Sequence, residues 1–124
     1  MTRIDVIANA IGLTDNPLKG IEIGCLLGEF SAGILSKFKN LHLTSIEVVP
    51  NYTQIYVKVN AGNLSAEPKF KIIESTSDNA IRFLHREYDF VFIDGEHSYE
   101  QTRRDILNYW QVIKKGGLIS GHNY

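Results

Sequence analysis

Three carboxylates and two glycines stand where a binding site can form in this sequence. Glu22 lies inside a short apolar run that breaks at Gly24, and Gly28 closes the loop that follows. Glu47 lies near the end of a second apolar run, and Asp94 ends a later one. Glycines let a backbone turn tightly and approach a ligand, and carboxylates accept hydrogen bonds from ammonium and hydroxyl groups. Together they favour a crevice that attracts a cationic ligand.

Strands and helices are predicted to alternate along the chain and to position these residues. Predicted helices are Thr2–Leu13, Glu29–Phe38, 51–61, Ala80–Arg86 and Ser98–Lys114, and predicted strands are Gly20–Gly24, Leu41–Val49, Phe70–Glu74, Tyr88–Asp94 and Leu118–Ser120. The β-branched residues of 51–61 leave a strand open there. In the last helix, Ser98 and Gln101 have the spacing of a capping box, and Ile106, Trp110 and Ile113 are expected to face the core.

This alternation predicts an α/β fold, a three-layer, Rossmann-like arrangement with helices on both faces of a parallel sheet. Right-handed crossovers favour the strand order 3-2-1-4-5. Ligands of such sheets bind outside the carboxyl ends of the strands, where the strand order reverses. The reversal falls here between strands 1 and 4, next to Gly24 and Asp94.

Length and composition limit the classes of protein. A chain of 124 residues is expected to form a single domain, 1–124, with a net charge of −1 that gives no broad basic face for nucleic acid or anionic lipid. The one cysteine, Cys25, excludes an internal disulfide and fits a reducing compartment, so a cytoplasmic location is expected. No apolar run approaches the roughly 20 residues of a membrane helix.

The glycine loop itself discriminates between nucleotide-like ligands. A phosphate-binding P-loop needs Lys-Ser or Lys-Thr after its second glycine, whereas Glu29 follows Gly28. A dinucleotide fingerprint needs a middle glycine, which 25–27 does not supply, so a nicotinamide dehydrogenase ranks third among the candidate functions. A ligand that contains adenosine but no phosphate fits better, because Glu22 suits an ammonium group and Glu47 suits a ribose diol. S-adenosylmethionine has this chemistry.

Four motifs in this order resemble the class I S-adenosylmethionine-dependent methyltransferases. Within that class, the similarity is to the small-molecule O-methyltransferase-like group, whose strand ends in Ile-Asp-Gly-x-His. The matching segments are Glu22-Ile23-Gly24 with Gly28, then Glu47, then Tyr88–Tyr99, and finally Lys115–Gly117 with Gly121–Tyr124. The resemblance extends from about Gly20 to Tyr124.

The resemblance implies a role for each matching residue. Around the cofactor, Gly24, Cys25 and Gly28 would cradle the methionine part, Glu47 would hold the ribose, Thr76, Ser77 and Asp78 would lie at the adenine, and Asp94 would face the methionine end. His97 would be the substrate-side acid or base, with Asp94 second. In metal-dependent branches Asp94 would instead ligate a divalent cation.

Two departures from the family pattern bear on the site. Thr76 stands where the family often has an acidic residue. Asn123 stands where the family often has aspartate after His122, so a metal site of Asp94, His122 and Asn123 would hold one carboxylate. Hard cations favour carboxylates, so a divalent metal is not expected, and Asp94 and Asn123 remain the metal candidates.

The last departure concerns the sheet edge. The family fold continues with strands 6 and 7, which this chain lacks, so the domain is expected to be shortened or to form a homodimer through the fifth strand. The predicted function is methyl transfer from S-adenosylmethionine to a small hydroxylated molecule. The alternative is a non-catalytic S-adenosylmethionine-binding or oligomeric remnant.

Overall fold

The computed structural model describes residues 2–12, 16–24, 29–48, 69–94 and 98–121. Its helices are α1 (Arg3–Ile11), α2 (Glu29–Lys37), α3 (Ser77–Ala80) and α4 (Tyr99–Tyr109), and its strands are β1 (Leu18–Ile23), β2 (Leu41–Glu47), β3 (Phe70–Glu74), β4 (Tyr88–Ile93) and β5 (Ile113–Gly121). Short 3₁₀ turns follow α3 and α4. The helix expected at 51–61 lies outside the described residues. Among the described helices, none is long and apolar enough to cross a membrane.

The strands form one parallel sheet in the order β3-β2-β1-β4-β5, as the alternation of elements predicts. β1 lies between β2 and β4, with Ile23 in register with Ile46 on one side and Ile93 on the other. The carboxyl ends of these three strands therefore meet at one edge. The α/β, Rossmann-like fold class is confirmed.

Alternate residues of β4 point into two separate cores, because side chains of a strand alternate between its faces. Phe90 and Phe92 join a cluster with Ile7 of α1 and Phe30 of α2. The rings of Phe30 and Phe92 stack with centroids 4.1 Å apart. Val91 and Ile93 pack on the opposite face, with Tyr109 of α4. Helices thus cover both faces of the sheet.

The predicted helix Ala80–Arg86 was placed too late in the chain. The helix begins at Ser77, where the Thr76 hydroxyl accepts a hydrogen bond from the Asn79 amide at 3.2 Å, and a 3₁₀ turn takes over at Ile81. The capping geometry of Thr76 therefore decides the start of the helix. This places Ser77 and Asp78 in its first turn, beside the carboxyl end of β2.

The last helix also differs from its prediction. It ends at Tyr109 instead of Lys114, and β5 begins already at Ile113. Gly116 has φ +84°, and the pairing with β4 shifts between Tyr88–Ile113 and Phe90–Leu118. A bulge of this kind accommodates extra residues without breaking the strand.

The inward face of α4 was predicted one residue out of phase. Trp110, expected in the core, is 64% exposed and Ile106 is 43% exposed, whereas Tyr109 and Asp105 are fully buried. Ile113, the third residue expected in the core, is buried there, but as the first residue of β5. The apolar pattern misled because α4 buries polar groups that form hydrogen bonds with α3. Successive residues of a helix point about 100° apart, so burying Tyr109 turns the next residue, Trp110, outward.

Gly20 and Gly33 provide a matched pair of substitutions. A Cβ at Gly20 would lie 2.2 Å from Cζ of the buried Phe90 ring, whereas a Cβ at Gly33 would meet the flexible end of Ile4. We expect Gly20→Ala to lower the free energy of unfolding by about 2 kcal/mol through overpacking. Gly33→Ala should be close to neutral, because better helix propensity offsets a small shift of Ile4. Urea unfolding measures both, and equal stabilities for the two variants would contradict the packing at Gly20.

Candidate functional site

A pocket of about 190 Å³ opens where the ends of β1 and β2 meet the start of α3. Five residues predicted to contact the cofactor line it together: Gly24, Glu47, Thr76, Ser77 and Asp78. The remaining described lining residues are Ile23, Ile46, Val48, Ser75 and Gln101. The pocket thus combines apolar strand ends with two carboxylates, hydroxyl groups and a carboxamide.

Backbone hydrogen bonds hold the strand ends around this pocket. Gly24 has φ +83°, a conformation that favours glycine, and its amide donates to the Ile46 carbonyl at 2.8 Å. The Asp94 amide donates to the Ile23 carbonyl at 2.8 Å, and the Ser75 amide donates to the Glu47 carbonyl at 3.2 Å. The turn at Gly24 is therefore fixed from both neighbouring strands.

Glu22 is buried behind the pocket and does not line it. The residue is 1% exposed, and its Oε1 accepts hydrogen bonds from the hydroxyls of Ser31 and Ser45. Burial, with a smaller effect of nearby Asp94, raises the pKa of Glu22 to about 7, although the two hydrogen bonds and the charge of Arg3 lower it. The contact between Glu22 and a ligand ammonium group stays a prediction.

Asp94 lies at the end of β4 and is joined to α1. Nη1 of Arg3 lies 2.9 Å from Oδ2 of Asp94, and the guanidinium of Arg3 is 5.9 Å from the centroid of the Phe92 ring. The partner Arg3 was missed in the sequence, where it precedes Asp94 by 91 residues and has no local signal. The predicted contact of Asp94 with the methionine end, and its catalytic role, stay predictions.

A hydrogen-bonded network between α3 and α4 was also missed. Oδ1 of the buried Asp105 accepts from the Ser77 hydroxyl at 2.5 Å and from Nε2 of Gln101 at 3.0 Å. Tyr109 donates its hydroxyl to the Ser77 carbonyl at 2.7 Å. Burial, followed by the charges of Asp105 and Asp78, raises the pKa of Tyr109.

The spacing of the network residues was a readable signal, since Gln101, Asp105 and Tyr109 are each four residues apart and so share one helix face. The predicted cap at Ser98 is confirmed, because its hydroxyl accepts from the Gln101 amide at 3.2 Å. The Gln101 side chain, expected to complete a capping box, instead donates to Asp105 and Ser77.

Several predicted site residues lie outside the described residues, so their roles stay predictions: Cys25, Gly28, His97, His122 and Asn123. Within the described ranges, no three His, Cys, Asp or Glu side chains gather in a group that could hold a metal ion. The pairing of Asp94 with Asn123 at a metal is not tested.

The chain belongs to a methyltransferase family, because the family model described as "Methyltransferase domain" matches residues 21–124. No curated protein matches the chain significantly.

Solved structures share the fold at low sequence identity. Human methyltransferase-like protein 13 in complex with SAH is 11% identical, with a TM-score of 0.71 over 96% of this chain and 63% of that one. A caffeoyl-CoA O-methyltransferase candidate from Staphylococcus aureus is 24% identical, with a TM-score of 0.66 over 97% of this chain and 66% of that one. Spermidine synthase from Thermotoga maritima is 18% identical, with a TM-score of 0.69 over 95% of this chain and 42% of that one. The chain thus spans between 42% and 66% of the length of these three proteins.

Proposed function

We propose that this methyltransferase domain binds S-adenosylmethionine and transfers its methyl group to a hydroxyl of a small molecule. The observation that carries the proposal is the pocket at the ends of β1 and β2, where Gly24, Glu47, Thr76 and Ser77 lie together. The solved relatives support it, since human methyltransferase-like protein 13 holds SAH, and the Staphylococcus aureus protein carries the name of an O-methyltransferase.

The chemistry of the pocket fits an adenosine ligand that lacks phosphate. Its described lining contains the carboxylates of Glu47 and Asp78, and no Lys or Arg is among those residues. Arg104, which does not line the pocket, lies 3.3 Å from Asp78, so Glu47 is the carboxylate that would repel a phosphate placed there. Ribose hydroxyls and the adenine amino group, by contrast, are donors that a carboxylate or hydroxyl oxygen accepts.

Each part of the ligand has residues suited to it. Glu47 would accept hydrogen bonds from the ribose, and Thr76 and Ser77 would lie at the adenine. The turn at Gly24 would bring backbone close to the methionine part, with Asp94 next to it, directly after β4. When bound, S-adenosylmethionine supplies an electrophilic methyl group on its sulfonium sulfur.

The contribution of the protein to the reaction is orientation and proton removal. A site that holds both reactants in line lowers the barrier by removing the entropy cost of bringing them together. We propose that His97, with Asp94 second, takes the proton from the acceptor hydroxyl, since a general base must lie within hydrogen-bond reach of that proton.

A methyl-transfer assay tests this proposal. The protein is incubated with S-adenosylmethionine labelled at the methyl group and a panel of catechols, phenols and saccharides. We expect the wild type to form labelled product and the Glu47→Gln variant to form none. Binding of S-adenosylhomocysteine without transfer to any acceptor would favour the non-catalytic alternative. Absence of both binding and transfer would contradict the methyltransferase proposal and the non-catalytic alternative alike.

We also propose that β5 pairs with a second copy of the chain. In the described part of the sheet β5 is an outer strand, hydrogen-bonded to β4 on one side. Exposed strand edges tend to pair with another chain. Sedimentation velocity is expected to show a dimer at micromolar concentration, and a stable monomer would contradict the pairing.

A cytoplasmic location is proposed from the single cysteine.

A further inference from the structure

One face of α4 is used for hydrogen bonding beneath the proposed nucleoside site. Gln101, Asp105 and Tyr109 follow one another at intervals of four residues, and all three reach Ser77. The side chain of Ser77 is held by Gln101 and Asp105, and its carbonyl by Tyr109. The first residue of α3 is therefore fixed in position from the neighbouring helix.

This arrangement matters because α3 has four residues. A single helical turn is not stable by itself, so its position must come from tertiary contacts. The hydrogen bond from Ser77 to Asp105 is 2.5 Å long and involves a carboxylate on a residue with 0% exposure. Hydrogen bonds to charged groups are roughly twice as strong as neutral ones, and burial shields them from competing water.

The network reaches the pocket without its inner members touching a ligand. Ser77, Asp78 and Gln101 line the pocket, whereas Asp105 and Tyr109 lie behind them. Gln101 connects the two layers, since its Nε2 donates to Asp105 at 3.0 Å and lies 3.4 Å from Oδ1 of Asp78. A buried carboxylate costs stability unless it is hydrogen-bonded, and Ser77 and Gln101 supply the hydrogen bonds that Asp105 needs.

We infer that Asp105, assisted by Tyr109, is a positioning residue for the nucleoside end of the ligand. It acts through Ser77 and Gln101 by holding the wall of the pocket in its binding geometry before the ligand arrives. This inference rests on the proposed function, because the ligand is the S-adenosyl group. A binding site gains affinity when its contacting residues are locked by a second set of hydrogen bonds.

Two variants outside the pocket test the inference. Asp105→Asn keeps the shape of the side chain and removes its charge, and Tyr109→Phe removes the hydroxyl that holds Ser77. Calorimetric titration uses S-adenosylhomocysteine and 5′-methylthioadenosine, which share the nucleoside but differ at the amino-acid end. We expect about a tenfold loss of affinity for Asp105→Asn and about a threefold loss for Tyr109→Phe. The loss should be the same for both ligands.

Asp89 supplies the matched control. Its side chain is also buried, at 7% exposure of the residue, and accepts from the Lys19 amide at 2.8 Å while pairing with Lys114. It lies at the beginning of β4, whereas the pocket lies at the carboxyl ends of the strands. Asp89→Asn should lower the melting temperature and leave both affinities unchanged. All titrations are made at a temperature where circular dichroism shows each variant folded.

The outcomes separate the inference from the proposed function. Wild-type binding of both ligands with weaker binding by both network variants supports the inference. Wild-type affinity in Asp105→Asn and Tyr109→Phe, a loss confined to S-adenosylhomocysteine, or an equal loss in Asp89→Asn would overturn the inference alone. Failure of the wild-type protein to bind either ligand would overturn the proposed function and the inference with it.

Discussion

Replacing Glu47 with glutamine is expected to weaken the binding of S-adenosylhomocysteine about 100-fold, or roughly 3 kcal/mol. Glu47 ends β2 and lines the pocket, and the Ser75 amide holds its carbonyl in place. A carboxylate can accept from both hydroxyls of a ribose, and each such hydrogen bond to a charged group contributes about 1.5 to 3 kcal/mol. Glutamine keeps the size of the side chain but loses the charge and one acceptor.

Glu74 provides the control for this substitution. It ends β3, directly in register with Glu47 on the neighbouring strand, but its side chain is exposed and does not line the pocket. Glu74→Gln should therefore bind S-adenosylhomocysteine as the wild type does. Equal affinities of the two variants in calorimetric titration would show that Glu47 does not hold the ribose.

The stability of the protein is expected to fall as the pH rises from about 4.5 to about 7, through the ionisation of Glu22. Burial raises the pKa of this carboxyl from 4.5 to about 7 in the folded chain. Between these values the folded state keeps a proton that the unfolded state has lost, so raising the pH favours unfolding. Below pH 4.5 both states are protonated, and above pH 7 the cost of the buried charge is complete.

The size of this effect follows from the shift in pKa. A shift from 4.5 to about 7 corresponds to a loss on the order of 3 kcal/mol in the free energy of unfolding. Glu22→Gln has no ionisation at this position and keeps an acceptor for Ser31 and Ser45. Because other groups also titrate, the quantity to measure is the difference between the wild type and this variant.

Urea unfolding at intervals from pH 4.5 to pH 8 measures that difference. The variant should gain stability relative to the wild type as the pH rises, and the gain should level off above pH 7. Parallel profiles for the two proteins would contradict a raised pKa of the buried Glu22.

The order of strands was predictable because it rests on chain-wide regularities. The apolar run Phe90–Ile93 marks a strand covered on both faces, and handedness leaves few ways to connect such strands. Gly24, Glu47, Thr76 and Ser77 were predictable as neighbours because the carboxyl ends of parallel strands meet at one edge. Their positions follow from the sheet topology, which every strand and helix pattern along the chain indicates.

The missed features depend on single pairings between distant residues. Arg3 and Asp94 are 91 residues apart, and nothing near either residue indicates the other. The phase of α4 was wrong because apolar residues were assumed to face inward, whereas Asp105 and Tyr109 are buried by hydrogen bonds to Ser77. The sequence of a helix does not indicate whether a polar residue has a hydrogen-bond partner on the neighbouring element. Such pairings become visible in three dimensions.

The pocket at the ends of β1 and β2 is proposed to hold an adenosine ligand without phosphate. Calorimetric titration of the wild-type protein with S-adenosylhomocysteine, ATP and the nicotinamide dinucleotide tests it directly. We expect saturable one-to-one binding of S-adenosylhomocysteine and no measurable binding of the two phosphate-bearing ligands. Binding of ATP or the dinucleotide in preference to S-adenosylhomocysteine, or no heat with S-adenosylhomocysteine, would contradict it.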